Sequence, residues 1–310
     1  MVEGDSALDD ISQITDYSDL LKRPGFNPVL SFDRKGGRTF GKVLLPYHFS
    51  EPVPCGIASC RTPHLKGYLI TSSDNQETII GQVCGKRVFG MSFTRQRQRI
   101  DQAVADARRK ETIQQMIRGM PAMIEVIERL EREYKFLQDL KYRLMGALDP
   151  RLYKELRARA ERGSAVVTRS VPMTEEEAAI VFETTNRRRN DGLGWPHKEL
   201  PICALEGLEF IKSPFKDMLV TNLITPLRRL SRMRPDEVLK MGRRELAREA
   251  KWVGEVPQGI ILAEEVVAAG HRFFTSANIA NLVHIGANRD VLAAMVADLK
   301  RAEEKRKAPI

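Results

Sequence analysis

The chain has 310 residues, 42% hydrophobic and 29% charged, with 50 Lys and Arg against 41 Asp and Glu and a formal charge of +9. That apolar fraction suffices for a real core and excludes wholesale disorder, and no apolar run approaches the roughly 20 residues that span a bilayer. An acidic start (MVEGDSALDDISQ), without the basic-then-apolar order of a secretory signal, and only four cysteines point to a cytoplasmic protein that is neither membrane-bound nor disulfide-stapled.

The first fifty residues read as a lead with short strands. Arg38 to Leu45 form a β-rich stretch after the Gly36-Gly37 turn signal, and Pro46, Pro52 and Pro54 are expected to break it. Gly67–Thr71 and Glu77–Gly81 then read as a β-hairpin about the polar turn Ser72–Asn75. Beyond Gly90 the pattern turns helical. Ser92 caps a helix that runs to Arg118 and ends at Gly119, and Pro121 suits the first turn of the next. In that second helix Ile127, Leu130, Tyr134, Leu137, Leu144 and Leu148 recur in steps of three and four, a coiled-coil-like stripe.

Asp149-Pro150 opens a short basic helix that Gly163 closes. The middle of the chain is the least helical, with strands at Ala165–Thr168 and Pro201–Leu205 and a capping box, Thr174 with Glu177, starting a helix between them. Helices over Phe215–Arg234, Asp236–Trp252 and Ile260–Phe273 follow, then two segments after Ser276 and Asn288, with a tail fraying from Lys300. The class is mainly α with a small β-hairpin module, α+β overall and elongated by a long helix. Four segments result: a lead over 1–54, a compact module over 55–90, long basic helices over 91–162, and a mixed then helical domain over 163–310.

The strongest chemical signal is Cys55-Gly-Ile-Ala-Ser-Cys60-Arg-Thr-Pro-His64, followed by the hairpin and then Gly81-Gln-Val-Cys84-Gly85. In a reducing compartment, three cysteines and a histidine within thirty residues fit a metal better than a disulfide. Zinc takes four tetrahedral ligands from thiolate and imidazole. The hairpin would return Cys84 to Cys55 and Cys60, and His64 is taken as fourth ligand by its proximity. A site with all four positions filled is structural. Cys203, in an apolar strand, reads as a small buried hydrophobe.

A ligand-bearing loop, a β-hairpin and a Gly-x-x-Cys-Gly turn leading into a helix resembles the treble-clef group of zinc fingers, over residues 55–90 only. The spacing departs from the usual pattern: four residues separate Cys55 from Cys60 where two are common, and the helix start offers one cysteine. The group includes nucleic-acid binders, protein-interaction modules and nucleases, so the resemblance does not choose among them.

Charge does suggest a choice. Residues 91–162 carry a net +6 and 228–251 a net +5, whereas 1–54 and 163–227 are each −2. Such concentration can track a phosphate backbone, or can simply be a solvated helix face. Lys86, Arg87, Arg95, Arg99, Arg108 and Arg109 run from the cysteine turn down the next helix, with Arg95 and Arg99 one turn apart. Arg243 and Arg244 belong to a second cluster that could extend that surface or pair with acidic helices, the first option being preferred. The expectation is a zinc-stabilised, non-catalytic protein that contacts the phosphates of DNA or RNA. The rival is an interaction protein that self-associates through the 121–148 helix. The third reading is an enzyme, such as a nuclease, with a site near His197 and the Arg187–Gly194 loop, although no phosphate-binding, dinucleotide or hydrolase motif is present. His271 and His284 are placed on helices, and His284, flanked by Val283 and Ile285, reads as a hydrogen-bonded core histidine.

Overall fold

A computed structural model of the chain describes residues 13–32, 37–190 and 192–307. Parts of the expected lead, Gly36 of the turn signal and Asp191 of the basic loop lie outside the described residues. The chain forms two compact units. The first takes the chain up to Arg118 together with Met233–Gly254, and the second takes Gly119–Arg232 and the chain from Glu255 onward. The main division falls at Gly119, where the sequence ends one helix and begins another.

In the first unit, a short helix α1 (Tyr17–Leu21) precedes a three-stranded antiparallel sheet of order β1-β2-β3, with β1 at Phe40–Pro54, β2 at Pro63–Ser72 and β3 at Glu77–Ile80. The β2–β3 pair is the hairpin expected from the sequence, in register Leu69 to Ile79 and Thr71 to Glu77. Tyr68, Leu69 and Ile70 form a continuous buried run because both faces of the sheet are covered. Tyr68 and Ile70 pack with Val43, Ile57, Ile80 and Phe93 on one side. Leu69 and Ile79 pack with Leu20, Tyr47 and Phe49 on the other.

Strand β1 does not stop at its prolines. It runs through Pro46 and Pro52, with irregularities between Val43 and Leu45 and between His48 and Val53 that absorb the mismatch. This is tolerable because β1 is an edge strand, where a missing amide hydrogen costs no ladder bond. On that edge Ile14 donates to the Pro46 carbonyl at 3.0 Å and accepts from the His48 amide at 2.9 Å.

Helix α2 (Gln82–Arg118) begins before the expected Ser92 and is interrupted at Gly90 (φ 60°, ψ −134°), a backbone conformation that glycine alone adopts cheaply. A short helical turn therefore carries Cys84, and a separate helix carries the arginines. The second piece is fixed to the sheet by buried Phe93, by Gln96, which accepts from the Val43 amide at 2.9 Å, and by Asp101, which accepts from the Tyr68 hydroxyl at 2.8 Å. Helix α8 (Pro235–Leu239) and the first part of α9 (Arg243–Phe273) complete this unit. The helix expected over Asp236–Trp252 is broken at residues 240–242, and α9 then continues through Pro257 where a break was expected.

The second unit is built around α3 (Met120–Ala147), with Pro121 in its first turn. Asp149 caps α4 (Pro150–Arg162), and Gly163 closes it in the left-handed conformation. Strands β4 (Val166–Pro172) and β5 (His197–Ala204) pair antiparallel, and α5 (Glu175–Thr184) between them starts with the Thr174–Glu177 capping box. After α6 (Leu208–Lys212), the helix expected from Phe215 opens as a nine-residue π-helix, Lys216–Ile224, in which the Thr225 amide reaches back five residues to the Val220 carbonyl. Pro226, which cannot donate a backbone bond, follows at once in α7 (Thr225–Ser231), and the wider turn accommodates it. Helices α10 (Ser276–Asn281) and α11 (Arg289–Lys307) end the chain, so residues 300–307 are helical where fraying was expected.

The α3 stripe is the core of this unit. Ile127, Leu130, Leu137, Leu144 and Leu148 are buried, Leu137 packs on Gly270, and Tyr134 lies 5.2 Å from the Phe215 ring. The flanks of α3 pair outward: Arg143 with Asp298 at 2.6 Å, Glu133 with His271 at 2.7 Å, and Arg129 with Glu264. The stripe residues expected to drive self-association through residues 121–148 are thus covered within the unit, while Ile124, Phe136, Tyr142 and Met145 on other faces of α3 are exposed. Leu137→Ala is expected to cost about 2–5 kcal/mol in urea unfolding; a loss below about 1 kcal/mol would mean the stripe is not core.

Candidate metal centre

Three cysteines converge in the first unit. Cys55 and Cys60 lie in the loop from β1 to β2, and Cys84 in the first turn of α2. Their sulfur atoms all lie within 4.8 Å of one another, with Cys55 and Cys84 buried and Cys60 partly exposed. The loop is pinned on several sides. The Cys55 amide donates to the Thr62 carbonyl at 3.1 Å, the Gly56 amide to the Ile79 carbonyl at 2.8 Å, and the Cys60 amide to the Ile57 carbonyl at 2.9 Å. Leu30 bridges it from outside, donating to the Gly56 carbonyl at 2.7 Å and accepting from Ala58 at 2.9 Å. Arg61, in the left-handed region (φ 50°), turns its guanidinium onto the Pro28 and Cys55 carbonyls at 3.1 and 3.2 Å.

Two glycines make the approach possible. A Cβ on Gly56 would stand 1.9 Å from Thr78 Oγ1 and 2.8 Å from the Ile79 carbonyl, and one on Gly85 would stand 2.4 Å from the Phe93 ring. Neither position has room for a side chain.

The electrostatics of the trio are uneven. The Thr62 hydroxyl and amide hold the Cys60 thiol down at about 6, so it is the thiolate of the group at neutral pH. Burial, reinforced by Cys60 and Cys55, pushes Cys84 up to about 12, and burial also raises Cys55. Arg87 donates toward the Cys84 sulfur at 3.8 Å. Tetrahedral coordination at about 2.3 Å places sulfurs roughly 3.8 Å apart, so a small closing movement would let all three thiolates hold one metal ion.

His64 stands beside this group and outside it. Its Nδ1 lies 2.6 Å from the Tyr47 hydroxyl, and its Nε2 is buried with no hydrogen-bond partner among the described residues. Gly81 closes over the ring, where a Cβ would be 2.7 Å from Cδ2. The importance of Tyr47 had no signal in the sequence, because it depends on β1 continuing past Pro46 to pair with β2.

The basic residues divide sharply. Lys86, Arg95, Arg99 and Arg244 are exposed and, among the described residues, pair with no carboxylate. Arg109 and Arg243 both bind Asp106, at 2.8 and 3.1 Å, and Arg108 bonds Gln13. Arg228, Lys240 and Arg248 pair with Glu131, Asp236 and Glu249. In the second cluster these residues are thus exposed cations that also pair with acids, the other arrangement weighed for it.

The remaining candidates lie apart from the three cysteines in the chain. His197 Nδ1 contacts the Trp195 carbonyl at 2.7 Å in an ordered turn, Cys203 is half-buried in β5, and His284 is exposed where a core position was expected. Among the described residues no helix is long and apolar enough to cross a membrane. No family model, curated protein or solved structure matches this chain.

Metal binding must displace thiol protons. With Cys60 ionised and Cys55 and Cys84 protonated, uptake at pH 7.5 is expected to release about two protons, rising to about three below pH 6. Affinity should therefore climb with pH, by about two log units per pH unit above 6. Calorimetry in buffers of different ionisation enthalpy measures this directly, and Cys84→Ser should abolish uptake.

Proposed function

We propose that the chain is a zinc-stabilised nucleic-acid-binding protein that holds its partner through phosphate contacts and performs no chemistry on it. Zinc is the metal that thiolate-rich, four-coordinate sites favour, and loop, hairpin and helix turn supply the ligands in treble-clef-like order. The ion would tie the Cys55–Cys60 loop to the start of α2.

The observation that carries the nucleic-acid reading is the pair Arg95 and Arg99. They are exposed, one turn apart, and without a carboxylate partner among the described residues, on a helix whose opposite side is fixed to the sheet by Phe93 and Gln96. An unneutralised arginine pair on a helix held in place can meet a phosphate backbone without first giving up an ion pair. Lys86 and Arg244, equally unpaired, belong to the same unit.

Binding to duplex DNA and to RNA, followed against salt concentration, tests the reading. The logarithm of affinity should fall linearly with the logarithm of salt, by roughly 0.9 per phosphate contacted on duplex DNA. Arg95→Glu with Arg99→Glu should flatten that slope by about two and weaken binding at least about tenfold near 0.1 M salt. Affinity indifferent to salt, or a double variant that binds as well as the wild type, would reject it.

A further inference from the structure

Beside the three sulfurs lies a cavity of about 320 Å³, and Cys60 and Cys84 are part of its wall. Its volume is at the lower end of the range of small-ligand pockets. The rest of its lining mixes the small and apolar Gly81 and Val83 with a few polar and cationic groups, among them Thr62, His64, Lys66 and Arg87. A purely structural metal site has no use for such a space, because four protein ligands close it off from solvent.

His64 would have to be the fourth protein ligand for the site to close, and its hydrogen bonding opposes that. Tyr47 is 1% exposed, and among the described residues its hydroxyl has no partner other than His64 Nδ1. A buried phenol must donate its proton somewhere, so Tyr47 O–H donates and Nδ1 accepts. In that tautomer the hydrogen sits on Nε2, which then has no lone pair for a metal. Nε2 is nonetheless buried without a partner, and its ring forms part of the cavity wall. A buried N–H left unmatched at the wall of a cavity marks the place of an absent acceptor.

Resting on the reading of the three thiolates as a metal site, we propose that the fourth position of that metal opens onto this cavity and takes a small, exchangeable monodentate anion. His64 Nε2–H and Lys66 supply the hydrogen bonds that hold it. The charge balance selects an anion: three thiolates around a divalent ion leave one negative charge, and Lys66 with Arg87 contribute two positive ones. His64 is then a positioning residue for the ligand, and Tyr47 fixes the tautomer that lets it donate.

Cobalt(II) loaded into the full chain, with azide as the probe anion, tests this by absorption spectroscopy. One equivalent of cobalt should give a thiolate charge-transfer band, absent in Cys84→Ser, and ligand-field bands that azide shifts saturably. His64→Ala should keep cobalt stoichiometry and the thiolate band but bind azide about tenfold more weakly or worse, the loss of one charge-assisted hydrogen bond. Lys66→Ala, a change at an exposed side chain that poses no folding risk, should also keep cobalt and weaken azide. Wild-type bands indifferent to azide, together with a changed cobalt spectrum in His64→Ala, would establish a closed site of three cysteines and a histidine and overturn the proposal while leaving the metal reading intact. Failure of the wild type to take up cobalt would overturn both.

Discussion

The contact on which the first unit depends is the seating of Gly56 against β3. Its amide bonds the Ile79 carbonyl, and the space where a side chain would project is already filled by Thr78. Everything chemical in this unit follows from that approach. It presses the Cys55–Cys60 loop onto the sheet just where the chain leaves β3 for α2, so that Cys84 arrives facing two thiols fixed from the other side. The hydrophobic core beneath is continuous with the site, since Cys55 and Cys84 pack with Ile57, Ile80 and Phe93. Packing therefore brings the thiols near one another, and a metal would add the last closing movement and the tie between loop and helix.

Charge in this protein has to be read after its neighbours are known. Counting along the sequence puts a net +6 on residues 91–162, yet Asp106 alone occupies both Arg109 and Arg243. The acidic flank of α3 similarly takes Arg228 and His271 within the second unit. Arg95 and Arg99 are among the exposed cations that, among the described residues, keep no carboxylate partner.

How far the sequence revealed this structure depends on how local the controlling physics was. The β2–β3 hairpin was legible because a polar turn sits between two β-rich runs, and the capping box at Thr174 and Glu177 because it involves only near neighbours. Clustering alone identified the three cysteines. The α3 stripe showed that one face must be covered, but periodicity cannot say by what, and the cover turned out to be Gly270 and Phe215 from far along the chain. Pro46 was misread as a stop since a strand's tolerance of proline depends on whether it lies at a sheet edge. The role of Tyr47 was hidden for the same reason, and the break at Gly90 because a glycine in a helical pattern can be either tolerated or used.

The edge position of β1 has one more effect. On the side facing away from β2, Pro46 offers no amide hydrogen, and the His48 amide is already committed to Ile14. An incoming extended segment from another molecule would find no run of donors to zip along over this stretch. Over these residues the margin is occupied by the chain's own Ile14.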